Sequence, residues 1–333
     1  MNELISLYVI FNCSLCFCGL VAYTLITRTI LHHRSGIGSF QNPFYILALS
    51  LGIPDCITLL VNLVYFMPAA VYGEVIFSDL YITLIGYIAQ SSWFAIGSHM
   101  TIISINRLLS ILHPLNYQAW FTPRKLALLI ILCWIYAFSI VGLMYGCSCR
   151  YHFPLLSGVV TCDYQITCSF LSFKLGEALS SLKVVVIIAS YIIMFTKFNK
   201  LNLKFQNCNN SQRAARQLQC ERRLAIQFAL VCVVLFFYIF SFIAVPVCVA
   251  EGLIEATAGS AFVNIFATLN SALTPFMYII FCSDMYNCIW TDLTQLCCIL
   301  KGSKCVWSSA ARRTPNTSNE LILQTKLVTE SKW

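Results

Sequence analysis

Long apolar runs separated by short polar stretches dominate the chain. Seven of them approach or exceed 20 residues: Ile5–Leu31, Pro43–Met67, Leu80–Leu112, Leu126–Tyr145, Leu175–Phe198, Leu224–Ala250 and Ala256–Cys282. A helix needs about 20 apolar residues to cross the hydrocarbon of a bilayer. The strands of a membrane barrel would be short and alternating. The pattern therefore predicts an all-α membrane protein, a bundle of seven transmembrane helices. Pro54, Pro246 and Pro275 fall inside these runs and predict kinks, which membrane helices tolerate. No internal repeat of the transporter kind is visible. Met1–Ile30 lacks a basic leading segment and a small-residue cleavage site. It reads as a first span that serves as its own insertion signal.

Composition agrees with the pattern. Of 333 residues, 59% are hydrophobic and 10% charged, against about 25% charged in a soluble domain. The net charge of +8 matters through its placement. With seven spans, 18 of the 21 Lys and Arg residues fall on one side, leaving only Arg150, Lys174 and Lys183 on the other. Positive loops stay cytoplasmic. The expected topology puts the N-terminus outside, the C-terminus inside, and the protein in the plasma membrane. The third inner loop, Lys197–Arg223, is strongly basic. It suits an acidic partner at the inner surface or anionic lipid headgroups.

Eighteen cysteines suit membrane helices, where Cys acts as a small hydrophobe. Cys147, Cys149, Cys162 and Cys168 differ, because they share one polar loop. On the expected topology that loop faces an oxidising compartment. These four are disulfide candidates, with three possible connectivities. Cys297 and Cys298 follow the last span and are candidates for palmitoylation. Asn12-Cys13-Ser14 lies in an apolar run, and Asn209-Asn210-Ser211 and Asn316-Thr317-Ser318 lie on the inner side. None of these three is expected to carry a glycan.

The stretch "SINRLLSILHPLNY" sets Arg107 at the inner end of the third run. Its head could simply snorkel to water, or it could carry function, as charges at membrane depth usually do. The surrounding pattern resembles rhodopsin-like G-protein-coupled receptors. Asn106-Arg107-Leu108, His113-Pro114 and Tyr117 end the third run. Asp55 lies in "LSLGIPD", Trp134 in the fourth run and Tyr191 in the fifth. Phe240 and Pro246 lie in "FSFIAVP", and Asn270, Ser271, Pro275 and Tyr278 in "NSALTPFMY". The resemblance covers about residues 5–298. "NPFYILALSLGIPDCITLL" and "SINRLLSILHPLNYQAWFTP" resemble the Srg superfamily of nematode serpentine chemoreceptors, class Srv.

The resemblance implies roles. A receptor domain would span 1–298, with a short membrane-lying eighth helix over 284–297. Residues 299–333 would form a disordered cytoplasmic tail. Arg107 would hold the cytoplasmic helix ends closed and then extend toward a heterotrimeric G protein, supported by Tyr191 and Tyr278. Pro246, Pro275 and Phe240 would belong to the moving parts. Asp55, Asn270 and Ser271 would form a polar cluster. The partners would be the G protein, an extracellular small molecule and membrane lipids, with no nucleic acid and no cofactor. A sensory cilium would be the site of action.

Departures from the family pattern bear on mechanism. Asn106 replaces the usual acid beside the arginine. A neutral amide holds a guanidinium less firmly than a carboxylate, since charge-assisted hydrogen bonds are roughly twice as strong. Thr274 replaces an Asn before Pro275, and Ile96 stands where a sodium site often has serine. Sodium at Asp55 is therefore not expected, and a hydrogen-bonded structural carboxyl is an equal reading. The usual cysteine at the outer end of the third run is absent from Leu80–Ile82, which leaves pairing within the loop.

Ligand candidates are Gln90, Trp93, Lys183, Glu251 and Asn264. Lys183 could read an anionic or carbonyl-bearing ligand; a snorkelled lysine is the alternative. Trp93 is more often packing, and His99 reads as a satisfied core histidine. Two other classes compete. A transporter or channel would use Asp55, His99 and Lys183 as a path, and a related receptor would read a neuropeptide or transmitter. A retinal photoreceptor needs a lysine in the seventh span, and Ala256–Cys282 has none. No catalytic constellation points to an enzyme.

Overall fold

The computed structural model describes residues 3–33, 43–72, 78–147, 149–152, 159–162, 167–206, 226, 229–230, 232–241, 243–245, 247–249 and 251–300. Its helices are α1 (Glu3–His33), α2 (Pro43–Val61), α3 (Met67–Tyr72), α4 (Asp79–Leu112), α5 (Pro114–Trp120), α6 (Pro123–Gly146), α7 (Thr167–Gln206), α8 (Cys232–Val249), α9 (Ala256–Phe281) and α10 (Ser283–Leu300). Two strands, β1 (Cys149–His152) and β2 (Val159–Cys162), lie between α6 and α7. Among the described residues seven segments are long and apolar enough to cross a membrane, one for each predicted run. The fold class is as predicted, with one short hairpin added.

The helices outrun the apolar windows that predicted them. α7 is 40 residues long, because the helix continues past the apolar run at both ends while the window counts only oil. α6 starts at Pro123, where a missing N–H costs nothing. Short α5, which the apolar pattern did not predict, also starts on a proline, Pro114. Pro54 and Pro275 lie inside α2 and α9 as expected; Pro246 lies outside the described residues. Past Pro54 the second span widens into a π-helical turn, Asn62–Phe66, where the Met67 N–H donates to the Asn62 carbonyl. Thr58 Oγ1 donates to the Pro54 carbonyl at 3.0 Å, and Asn62 Nδ2 to the Thr58 carbonyl at 3.0 Å. Both are bonds from a polar side chain back to the carbonyl one turn earlier, which meets its polarity without water.

α4 is the central element, packing against α2, α6 and α7. Its buried face is small and polar: Ser91, Ser92, Ser98 and Ser104 beside Ala95 and Gly86. The hydroxyls of Ser92, Ser98 and Ser104 fold back on their own helix. Ser92 donates to the Ile88 carbonyl at 2.9 Å and Ser98 to that of Phe94 at 2.9 Å. Small faces let membrane helices approach closely. Phe94 and Ala95 pack with Ala137, Val141 and Met144 of α6 in one core cluster. A second joins Cys16 and Tyr23 of α1, Leu59 of α2 and Ala272 of α9.

The outside is as apolar as the inside. Leu128, Ile131, Leu132, Ile135 and Phe138 of α6 are all exposed. Such a surface would aggregate in water and is at home in lipid. The hairpin pairs antiparallel, with Cys149 and Cys162 at directly paired positions; their side chains lie outside the described residues. Cys147, which caps α6, is bonded to Cys168 in the first turn of α7. One of the loop pairings left open by the sequence is thus assigned.

The chain divides into two units, Met1–Ile289 and Trp290–Trp333. In the first, Met285 and Ile289 of α10, one turn apart, are buried while Tyr286 is exposed. The second holds the rest of α10; its residues 301–333 lie outside the described residues, as do the side chains of Cys297 and Cys298.

Two outcomes follow. A Cβ on Gly19 would stand 2.9 Å from Leu59 Cδ1 and 3.1 Å from the Ala272 backbone. Gly19→Val must push α1 off α9, so a melt of the purified protein should show a loss of about 1–3 kcal/mol; an unchanged melting temperature would refute this packing. Peptide mapping without reductant should recover Cys147 joined to Cys168. By chain entropy that bond is worth about 3 kcal/mol, and the Cys147→Ser, Cys168→Ser double variant should melt lower.

Candidate functional site

Three ionisable groups stand inside the bundle, Arg107 and Asp55 buried and Lys183 half-buried. Arg107 lies one turn from the end of α4 and is 5% exposed. It has not snorkelled. Its guanidinium carbon sits 3.4 Å from the centroid of Phe44, at the start of α2. A desolvated cation over a ring is worth about 2 kcal/mol. The hydroxyls of buried Tyr191 (α7) and Tyr278 (α9) lie within electrostatic reach of the guanidinium. The Tyr278 ring packs 5.9 Å from Phe44. Three residues named from the sequence are thereby brought together, around a fourth that was not named.

Asn106 is turned elsewhere. Its amide and the Tyr117 hydroxyl exchange hydrogen bonds, Nδ2 to oxygen at 3.1 Å and oxygen to Oδ1 at 3.3 Å. Tyr117 lies on α5, so the pair pins that short helix against the end of α4. The chain reverses at His113, whose carbonyl accepts the Tyr117 N–H at 3.0 Å and whose ring packs on Trp120.

Deeper in, Asp55 is 1% exposed. The Tyr23 hydroxyl of α1 donates to its Oδ2 in a short hydrogen bond. Ser271 lies beside Asp55 without completing a bond. Asp55 Oδ1, Asn270 Oδ1 and Ser271 Oγ are buried with no protein partner among the described residues. Buried polar atoms of this kind are usually satisfied by ordered water. Tyr23 reaches Asp55 because residue 52 is glycine: a Cβ there would stand 3.1 Å from two carbons of the Tyr23 ring. His99 is a satisfied core histidine. Its Nδ1 lies 2.8 Å from the Ala95 carbonyl and so carries the proton, leaving Nε2 to accept from Ser50 at 2.7 Å.

Lys183 of α7 turns inward across α4 and α6. Its amine donates to the Phe94 carbonyl at 3.4 Å and lies 4.1 Å from the Tyr136 ring. Its stem runs beside Gly97, where a Cβ would stand in ordinary contact at 3.6 Å. Glu177, six residues earlier, is paired with Lys174 at 2.7 Å. Lys183 borders two cavities. One, a cleft with about 20 Å³ of free space, is shared with Trp93, Ser180, Leu235 and Ile239. The other, about 280 Å³, lies between α4 and α6 and is lined by Ser98, Thr101, Leu132, Cys133 and Tyr136.

The remaining ligand candidates do not converge there. Asn264 donates to the Tyr8 hydroxyl of α1 at 2.7 Å. Glu251 is exposed in the turn before Gly252, which takes a positive φ of 69°. Gln90 is half-buried, one turn from Trp93 on α4. Phe240 faces outward, 58% exposed and stacked on Phe236. Tyr238 instead meets Trp93 edge to face at 6.4 Å. Sequence reasoning missed Tyr23, Phe44 and Gly52. A signal existed for two of them: Phe44 and Gly52 lie in "NPFYILALSLGIPD", the stretch quoted for Asp55.

A solved structure, that of squid rhodopsin, matches with a TM-score of 0.70 at 15% identity, over 92% of this chain and 89% of its own. At that identity the likeness is one of fold. Comparison with curated protein sequences gives no match. Residues 12–295 match the family described as serpentine type 7TM GPCR chemoreceptor Srv. The chain belongs to this family of seven-transmembrane G-protein-coupled chemoreceptors.

Proposed function

We propose that this receptor binds a small molecule within the bundle and activates a heterotrimeric G protein at the end carrying Arg107. The observation that carries the reading is Arg107 seated on Phe44 beside Tyr191 and Tyr278. A guanidinium seated on a ring makes a contact that it can either keep or leave. Such a contact defines a resting state whose population a ligand can shift. The Lys and Arg asymmetry supports an outside N-terminus and an inside Arg107 end. It puts the hairpin outside, where its cysteines can oxidise. The amphipathic α10 would then lie along the inner surface, with Cys297 and Cys298 open to acylation.

A ligand panel in cells carrying a promiscuous G-protein reporter tests the reading. Ligand-evoked nucleotide exchange supports it; ligand-evoked current or uptake without exchange would replace it with a transporter or channel.

The latch makes sharper predictions. Phe44→Leu keeps the apolar volume and removes the ring beneath Arg107. Losing about 1–2 kcal/mol from the resting state should raise basal exchange roughly 5–30-fold. Asn106→Asp restores a charge beside Arg107 while still accepting from Tyr117, and should lower basal exchange. Unchanged basal rates in both variants would mean that neither contact holds the resting state.

A further inference from the structure

Lys183 sits where a charge has few ways to be met. It is about 9 Å of helix rise from the Lys174–Glu177 ion pair, whose carboxylate is already used. The Phe94 carbonyl that it contacts is shared with the Ser98 hydroxyl at 2.9 Å and lies mid-helix. At 3.4 Å the lysine bond is long and therefore weak. The Tyr136 and Phe94 rings, 4.1 and 5.6 Å away, are its other partners among the described residues. An ammonium has three donors, and these contacts occupy little more than one. Inside a low-dielectric bundle an anion placed here would gain strongly from charge-assisted hydrogen bonds.

The cavity beside the amine says how an anion could arrive. Its wall includes Leu132, which is 49% exposed, and the neighbouring Leu128, Ile131 and Ile135 face outward as well. The mouth opens sideways between α4 and α6 onto the apolar outside of the bundle. A ligand entering there comes from hydrocarbon and needs an apolar body. The Lys183 amine on the cavity wall calls for a negative head, while the Ser98 and Thr101 hydroxyls beside it already donate to the Phe94 and Gly97 carbonyls. About 280 Å³ is at the low end for ligand cavities, so it admits one slender chain rather than a two-chained phospholipid. The geometry points to a single-chain fatty carboxylate, entering between α4 and α6 with its head on Lys183, as a ligand of this receptor.

The site rests on the receptor reading for its signalling consequence, and its occupancy is measured apart from signalling. Purified receptor in nanodiscs is titrated with radiolabelled dodecanoate, with dodecanol as the neutral chain of equal length. Wild type should bind dodecanoate saturably and at least tenfold more tightly than dodecanol. Lys183→Met should erase that preference, Lys183→Arg should keep most of it, and Leu132→Trp, which fills the mouth, should weaken both ligands. Should Lys183→Met fail to fold, a diazirine-tagged dodecanoate on wild type should label segments 98–102 and 129–136, and dodecanoate should compete where dodecanol does not. Absent saturable binding, equal preference in the methionine variant, or labelling elsewhere overturns the proposal. Binding without nucleotide exchange on any G protein would keep the site and count instead against the receptor reading.

Discussion

A polar group in hydrocarbon has no water to fall back on, and this constraint organises the whole bundle. Lipid tails are as apolar as leucine, so apolar contact alone does not choose which helices meet. Fit and polar satisfaction choose. On α4 three of the four buried serines spend their hydroxyls on their own helix, Ser92, Ser98 and Ser104 on the Ile88, Phe94 and Thr101 carbonyls. That leaves a largely satisfied face on which α2, α6 and α7 can close. His99 adds one directed bond, to Ser50, and fixes α2 against α4 at mid-depth. Gly19 does the same job sterically, bringing α1 onto Ala272 of α9.

The three ionisable groups of the site are met to different degrees, and chemistry explains the difference. Arg107 rests on Phe44, and a guanidinium is weakly hydrated and planar, so an aromatic face is a fair exchange for water. Asp55 is half met: Tyr23 serves one oxygen, while the other, like Asn270 Oδ1 and Ser271 Oγ, is buried with no protein partner among the described residues. Lys183 is met least. An ammonium is a compact, strongly hydrated charge, and ring faces with one long carbonyl contact replace little of its shell. The order runs from a group that can be a stable resting contact to one that still has bonds to offer.

Much of this was legible in the sequence. Seven apolar runs near 20 residues long can satisfy their backbones only as helices, so span number and class followed from hydropathy alone. Helix ends were less legible, because α7 keeps its hydrogen bonds well beyond the oil, at Thr167 and Gln206. The hairpin and α5 were not legible, since each is short and set by local turn chemistry rather than by a long period. For the site, Arg107, Tyr191 and Tyr278 were found by resemblance, and they do converge. What holds them was hidden: Phe44 is distant in sequence from Arg107, and nothing in an apolar run marks one ring among many. Asn106 invited the expectation of a weakened hold on its neighbour. The structure gives that amide to Tyr117 instead, a choice visible only once α5 has folded back.

One rigid element connects these groups. Phe94, whose carbonyl takes the Lys183 amine, and Arg107 lie on the same unbroken helix, about 20 Å apart along its axis. His99 and its bond to Ser50 lie between them. A helix of this kind does not absorb a displacement at one end; it carries it to the other. Coupling between distant sites still needs an element with two discrete arrangements. The α4 backbone, fully bonded and close-packed, is not that element. The side-chain contact at its end is. Arg107 either lies on Phe44 or leaves it, and the α2 face that presents Phe44 is itself tied to α4 through Ser50 and His99. A ligand that shifts α4 against α2 by a fraction of an ångström would act where a cation–ring contact is most sensitive to separation.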